Sequence, residues 1–118
     1  MLAEIKLEAI EWYYMEIDYA IKHNLQMPHE IVFEKTLDTA MRDLTDFEYM
    51  VWCFEILSRF ERQMIPMSQN HIEEIKKAIN IYNSIDYKSI ELSDDEIIQL
   101  KKDCTMAVDY IEWSSCCN

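Results

Sequence analysis

Carboxylates are the most abundant reactive groups in this chain, and they fall in rows. Glu4, Glu8, Glu11 and Asp18 lie near one stripe if the first twenty residues are helical, and Glu30, Glu34 and Asp38 follow at successive spacings of four. Like charges at that spacing destabilise an isolated helix by roughly a few tenths of a kcal/mol per pair. Asp38 and Arg42 offer one compensating pair, but most of the other acids have no basic neighbour at that spacing. In total, 23 acidic residues face 11 basic ones, for a formal net charge of −12 and a pI near 4.5. Residues 1–50 hold eleven acids and four bases, a balance of −7. Residues 51–92 hold six and five, and residues 93–118 six and two, balances of −1 and −4. Rows of this kind serve either as a solvated face that keeps a protein soluble or as a surface for a basic partner whose cations relieve the repulsion.

Aromatic residues stand beside the first row. Trp12, Tyr13 and Tyr14 are consecutive, and on a helix three neighbours sweep about 200°. At least one ring must therefore lie at the rim of the core or outside it. Tyr and Trp are enriched at interface hot spots; a core-facing trio with one ring at the edge is the alternative. The candidate partner-binding set is Glu4, Glu8, Glu11, Tyr13, Tyr14, Asp18, Glu30, Glu34 and Asp38.

No other chemistry is spelled out. Di-iron bundles use Glu-x-x-His pairs, and no histidine here has a glutamate three residues before it. His29-Glu30 lacks the second histidine of a zinc-protease motif. Cys116 and Cys117 are adjacent, whereas zinc sites usually space their cysteines by two to four residues. Cys53 and Cys104 sit among apolar residues and read as small core side chains. His23 and His71 read as surface residues, and Met15, Met41 and Met50 as gap-fillers in the core. With no glycine anywhere, a Gly-rich phosphate loop is excluded. No catalytic residue, metal site or cofactor is expected, and no basic aromatic patch for nucleic acid is present.

The elements that must position the acids are helices. At average usage, about eight glycines would occur in 118 residues; none does, and only two prolines. Tight hairpin turns, which need positive φ, are then costly. The fold expected is all-α, a compact bundle of about five helices with mostly antiparallel neighbours, as one domain over 1–118.

The first helix should run from about Leu2 to His23, ending at Asn24, with Ile10, Tyr14, Ile17 and Ile21 as its apolar face. The second starts near Pro28 and carries Phe33, Leu37, Ala40, Met41 and Leu44. Thr45-Asp46-Phe47-Glu48 fits a capping box and opens a third. Its face, Phe47, Met50, Val51, Phe54 and Leu57, is widened by Trp52, which makes it the candidate central helix, and it should end near Ile65-Pro66. Ser68 caps a fourth, with Ile72, Ile75, Ile79 and Tyr82. Asn83 to Leu92 reads as a connection rather than a strand. Ser93-Asp94-Asp95-Glu96 is a second capping box, opening a fifth helix with Ile97, Leu100, Cys104, Ala107, Val108 and Ile111. Ser114 to Asn118 should fray.

The N-terminus is charged at once and no apolar signal segment follows. The longest apolar stretch, Tyr49 to Phe54, is too short to span a membrane. A cytoplasmic location with reduced thiols is expected.

In type, a short acidic helical chain with acidic rows Glu4/Glu8/Glu11 and Glu30/Glu34/Asp38 beside Trp12-Tyr13-Tyr14 resembles the bacterial toxin-immunity proteins. The resemblance implies a stoichiometric inhibitor of a basic cognate toxin, often a nuclease. Acidic rows would steer the encounter and aromatics would slow dissociation. A second reading is a mimic of nucleic acid, of phage type, that inhibits a DNA- or RNA-binding enzyme. Glu4 to Asp18 spans about 21 Å of helix, a charge roughly every 7 Å, against one per about 3.4 Å along a DNA strand. A single stripe is too sparse, so mimicry needs several helices aligned. A third reading, a small enzyme without a recognisable motif, would need carboxylates or Cys53 and a histidine brought together by folding.

Overall fold

The computed structural model describes residues 1–26, 31–36, 38, 44–61 and 67–117. Among them five helices occur and no strand, so the fold is all-α. They are α1 (Leu2–Lys22), α2 (31–36), α3 (Asp46–Glu61), α4 (Gln69–Ser84) and α5 (Asp94–Cys117).

Local signals set the ends. At the start of α3, Thr45 N–H donates to Glu48 Oε1 at 3.3 Å and Glu48 N–H returns to Thr45 Oγ1 at 3.3 Å. Ser93 and Glu96 repeat the exchange at α5, at 3.0 and 3.2 Å. Ser68 Oγ accepts from His71 N–H to open α4. Each box satisfies two amides that the first turn leaves unpaired. At the other end of α1, Asn24 takes φ 53°, the left-handed region usually given to glycine. Asn24 N–H donates to Ile21 O and Leu25 N–H to Ala20 O, which closes a Schellman turn. In a chain without glycine, asparagine is the residue that tolerates this conformation best.

α3 is the hub, packed against α1, α4 and α5. Tyr49 to Phe54 are all buried, as are Phe47, Ile56 and Leu57, so α3 is sheltered almost all round. Ile72, Ile75 and Ala78 of α4 and Leu100, Cys104, Ala107, Tyr110 and Ile111 of α5 complete the core. The Cα radius of gyration is 14.1 Å, close to the value of about 13.5 Å for a globule of this length.

Several expectations are corrected, among them Ile97 and Val108 of α5, which are 37% and 36% exposed rather than on its inward face. Of the expected face Ile10, Tyr14, Ile17 and Ile21, α1 buries Ile17, leaves Ile10 partly buried and exposes Tyr14 and Ile21. It buries Leu2, Ala9, Tyr13, Ile17 and Ala20, a stripe turned by about 80° at 100° per residue. Alanines at 9 and 20 permit close approach of a neighbouring helix. Met15 fills no core gap; it is 53% exposed. The tail does not fray at Ser114: α5 continues to Cys117, and Ser114 is fully buried, its Oγ accepting Met67 N–H at 3.2 Å. The expected start of the second helix at Pro28, the core roles of Leu37, Ala40 and Met41, the Asp38–Arg42 pair, and the end of the third helix near Ile65-Pro66 lie outside the described residues.

Among the described residues, no helix is long and apolar enough to cross a membrane.

Candidate functional site

α1 presents the first acidic row to solvent because its opposite side is inside. Leu2, Ala9, Tyr13 and Ala20 point into the core. Glu4, Glu8, Glu11 and Asp18 lie on the far side, within an arc of about 80°, and all four are exposed. Asp18 is paired with Lys22 at 2.8 Å, but both side chains are more than half exposed, and such a pair is worth little.

Of the three consecutive aromatics, each takes a different environment. Tyr13 is 1% exposed, and burial together with the nearby Tyr14 pushes its phenol up to about 12. This ring is a core residue, and it leaves the candidate partner-binding set. Tyr14 is 47% exposed and meets Tyr13 edge-on at 5.6 Å. Trp12 is partly buried against the core. The second row is only partly described: Glu34 and Asp38 are exposed, whereas Glu30 lies outside the described residues. Lys35 of α2 sits 5.9 Å from the centre of the Tyr19 ring, which places α2 beside the C-terminal part of α1. Tyr19 itself is 51% exposed and stacks on His23 at 3.9 Å.

Trp52 of α3 and the exposed Leu7, Met15 and Ile21 of α1 add to this face what the sequence did not announce. Glu8, Glu11, Trp12, Met15 and Trp52 line an open groove of about 410 Å³ between α1 and α3. Trp52 is 94% buried by its 6% exposure, and its Nε1–H has no hydrogen-bond partner among the described residues. Leu7 and Ile21, at 54% and 59% exposed, stand on the other side of the acidic row. The row is therefore bordered by apolar surface on both sides. The signal that was missed is the surplus of apolar residues on α1, more than one buried stripe can use.

Charge also occurs inside. Lys6 Nζ reaches Asp103 Oδ2 of α5 at 2.7 Å and Glu55 Oε2 of α3 at 3.7 Å, and Arg59 holds the other oxygen of Glu55 at 3.1 Å. Gln99 completes the chain of contacts by donating to Asp103 at 2.9 Å. Two cations and two carboxylates thus neutralise one another where α1, α3 and α5 meet. They contribute nothing to the net charge of the outer face.

The other reactive groups are divided: Cys116 is an exposed thiol, whereas Cys53 and Tyr49 are sequestered. Cys53 is fully buried, and burial pushes its thiol up, away from the thiolate that a nucleophile requires. Tyr49, buried and raised for the same reason, donates to Glu74 Oε2 at 2.8 Å. Among the described residues, no group of three or more His, Cys, Asp or Glu side chains is placed to hold a metal ion.

The chain matches no family model, no curated protein and no solved structure.

Proposed function

We propose that this protein is an inhibitor of the immunity type: it binds one basic protein, a bacterial toxin such as a nuclease, and neutralises it in a one-to-one complex. The observation that carries the reading is the outer face of α1. Glu4, Glu8, Glu11 and Asp18 lie exposed between apolar side chains, Leu7, Tyr14 and Ile21 on one side and the Trp12–Met15–Trp52 groove on the other. Charge without apolar neighbours serves solubility. Charge set among exposed aromatic and aliphatic side chains matches the make-up of a hot-spot region. The acids speed and orient the encounter, and the apolar contacts lengthen the lifetime of the complex.

The experiment starts with the tagged chain in its native strain. The partner it retains at low salt is identified and its toxicity measured with and without one equivalent of the chain. Full neutralisation of a basic toxin is the expected result. In the variant Glu4→Lys/Glu8→Lys/Glu11→Lys, the association rate should fall by about tenfold or more at low salt, and its salt dependence should flatten. An unchanged rate and slope would remove the α1 row, and the same reversal at Glu30, Glu34 and Asp38 then tests the second row. Competition with DNA for several unrelated DNA-binding proteins would replace this reading with nucleic-acid mimicry.

A further inference from the structure

α1 carries a second apolar stripe that its own core uses only in part. Ala3, Leu7, Ile10, Tyr14, Ile17 and Ile21 are spaced by four, three, four, three and four residues. That is the heptad pattern in which apolar residues at positions a and d form the seam between two helices. Leu7, Tyr14 and Ile21 occupy a and are 54%, 47% and 59% exposed. Ile10 and Ile17, at d, lean inward and are partly and almost wholly buried. The stripe therefore lies along the shoulder of α1, with its a positions outward.

The flanks of this register are unlike. The e positions are Glu4, Glu11 and Asp18, all acidic and all exposed. The g positions are Lys6, Tyr13 and Ala20. Lys6 is held by Asp103 and Glu55, and Tyr13 and Ala20 are each 1% exposed. One flank is open and charged, and the other is closed by the molecule's own core.

We propose that this shoulder receives an amphipathic helix of the basic partner. Its apolar stripe would lie against Leu7, Ile10, Tyr14 and Ile21, and the Lys or Arg residues of its flank against Glu4, Glu11 and Asp18. The inference rests on the reading that the partner is basic, and it specifies how that partner is gripped: a helix laid along a helix, read through heptad anchors. Charge complementarity selects this occupant over a second copy of the chain. Antiparallel pairing of two α1 helices would set Glu4, Glu11 and Asp18 against the same acidic positions, and parallel pairing would set them against 6, 13 and 20, which face the core.

The test uses three synthetic peptides of three heptads each, titrated into the isotope-labelled full chain and followed by backbone amide shifts. One has leucine at a and d with lysine on both flanks. The second replaces every lysine by glutamate. The third keeps the lysine composition but scrambles the order so that no apolar stripe remains. The lysine-flanked peptide should bind one to one, with shifts centred on Leu7, Ile10, Tyr14 and Ile21, and about tenfold or more tighter than the other two. Leu7→Ser/Tyr14→Ser/Ile21→Ser should weaken it by about tenfold while far-ultraviolet circular dichroism and the melting temperature stay at wild type, because these side chains are exposed. Glu4→Lys/Glu11→Lys/Asp18→Lys should transfer the preference to the glutamate-flanked peptide. Equal binding of the ordered and scrambled lysine peptides would overturn the helical docking and leave the basic-partner reading standing. Equal binding of the lysine and glutamate peptides would overturn both. Shifts confined to α4 and α5 would overturn the site.

Discussion

Replacing Tyr13 by alanine removes a ring that is 1% exposed, and the expected loss of stability is about 3–5 kcal/mol, the usual cost of deleting a buried aromatic. Tyr14→Ala, one position on, should change stability by no more than about 0.5 kcal/mol yet weaken partner binding. Urea denaturation and partner titration of the two variants check both halves. The contrast follows from a single 100° step of the helix. Sequence made it visible that the three rings Trp12, Tyr13 and Tyr14 had to separate. It did not show which would turn inward, because that depends on where α3 lies and not on anything within α1.

At the scale of the helix, two groups of residues show what is legible and what is not. The capping boxes Thr45/Glu48 and Ser93/Glu96 were readable because both partners lie within one turn, and the chain forms them without reference to the rest of the fold. The inward face of α1 was not. Apolar residues cover more than half of that helix, so two stripes compete, and periodicity alone does not choose between them. Glu96 adds a link that local reading missed: its Oε2 also accepts the N–H of Leu2 at 3.1 Å. Bonds from the Ser93 and Leu2 amides favour its carboxylate form and hold it below the ordinary value of 4.5. A depressed carboxylate stabilises the fold above its unfolded-state pKa and loses that contribution as pH falls through the folded-state one. The stability difference between wild type and Glu96→Gln should therefore be full at neutral pH and shrink as pH drops below 4.5. A gap that stays constant down to acid unfolding would show that Glu96 is not responsible.

For the whole molecule, the decisive contacts join α1 to α5. Lys6 and Asp103 are 97 residues apart, and Leu2 and Glu96 are 94 apart. Lys6 also holds Glu55, and all three side chains are under 20% exposed. Lys6→Met keeps the apolar stem but leaves two shielded carboxylates without their shared cation, and should cost about 1–3 kcal/mol, measured by urea unfolding. The all-α class was plain from the lack of glycine and the spacing of apolar residues, and so was the central place of α3, whose apolar arc was the widest. The internal charge network was not, since Lys6, Glu55, Arg59 and Asp103 show no common spacing until the helices assemble. The same long-range links bear on synthesis. α1 is synthesised before α5, whose Glu96 and Asp103 fix its N-terminal end. Until then it rests on α3 and meets α2 through Lys35, and a chain interrupted before Ser93 would lack both tethers. The helix that bears the acidic face is thus locked at its N-terminal end only after α5 has been made, so that a product truncated before Ser93 lacks the finished surface.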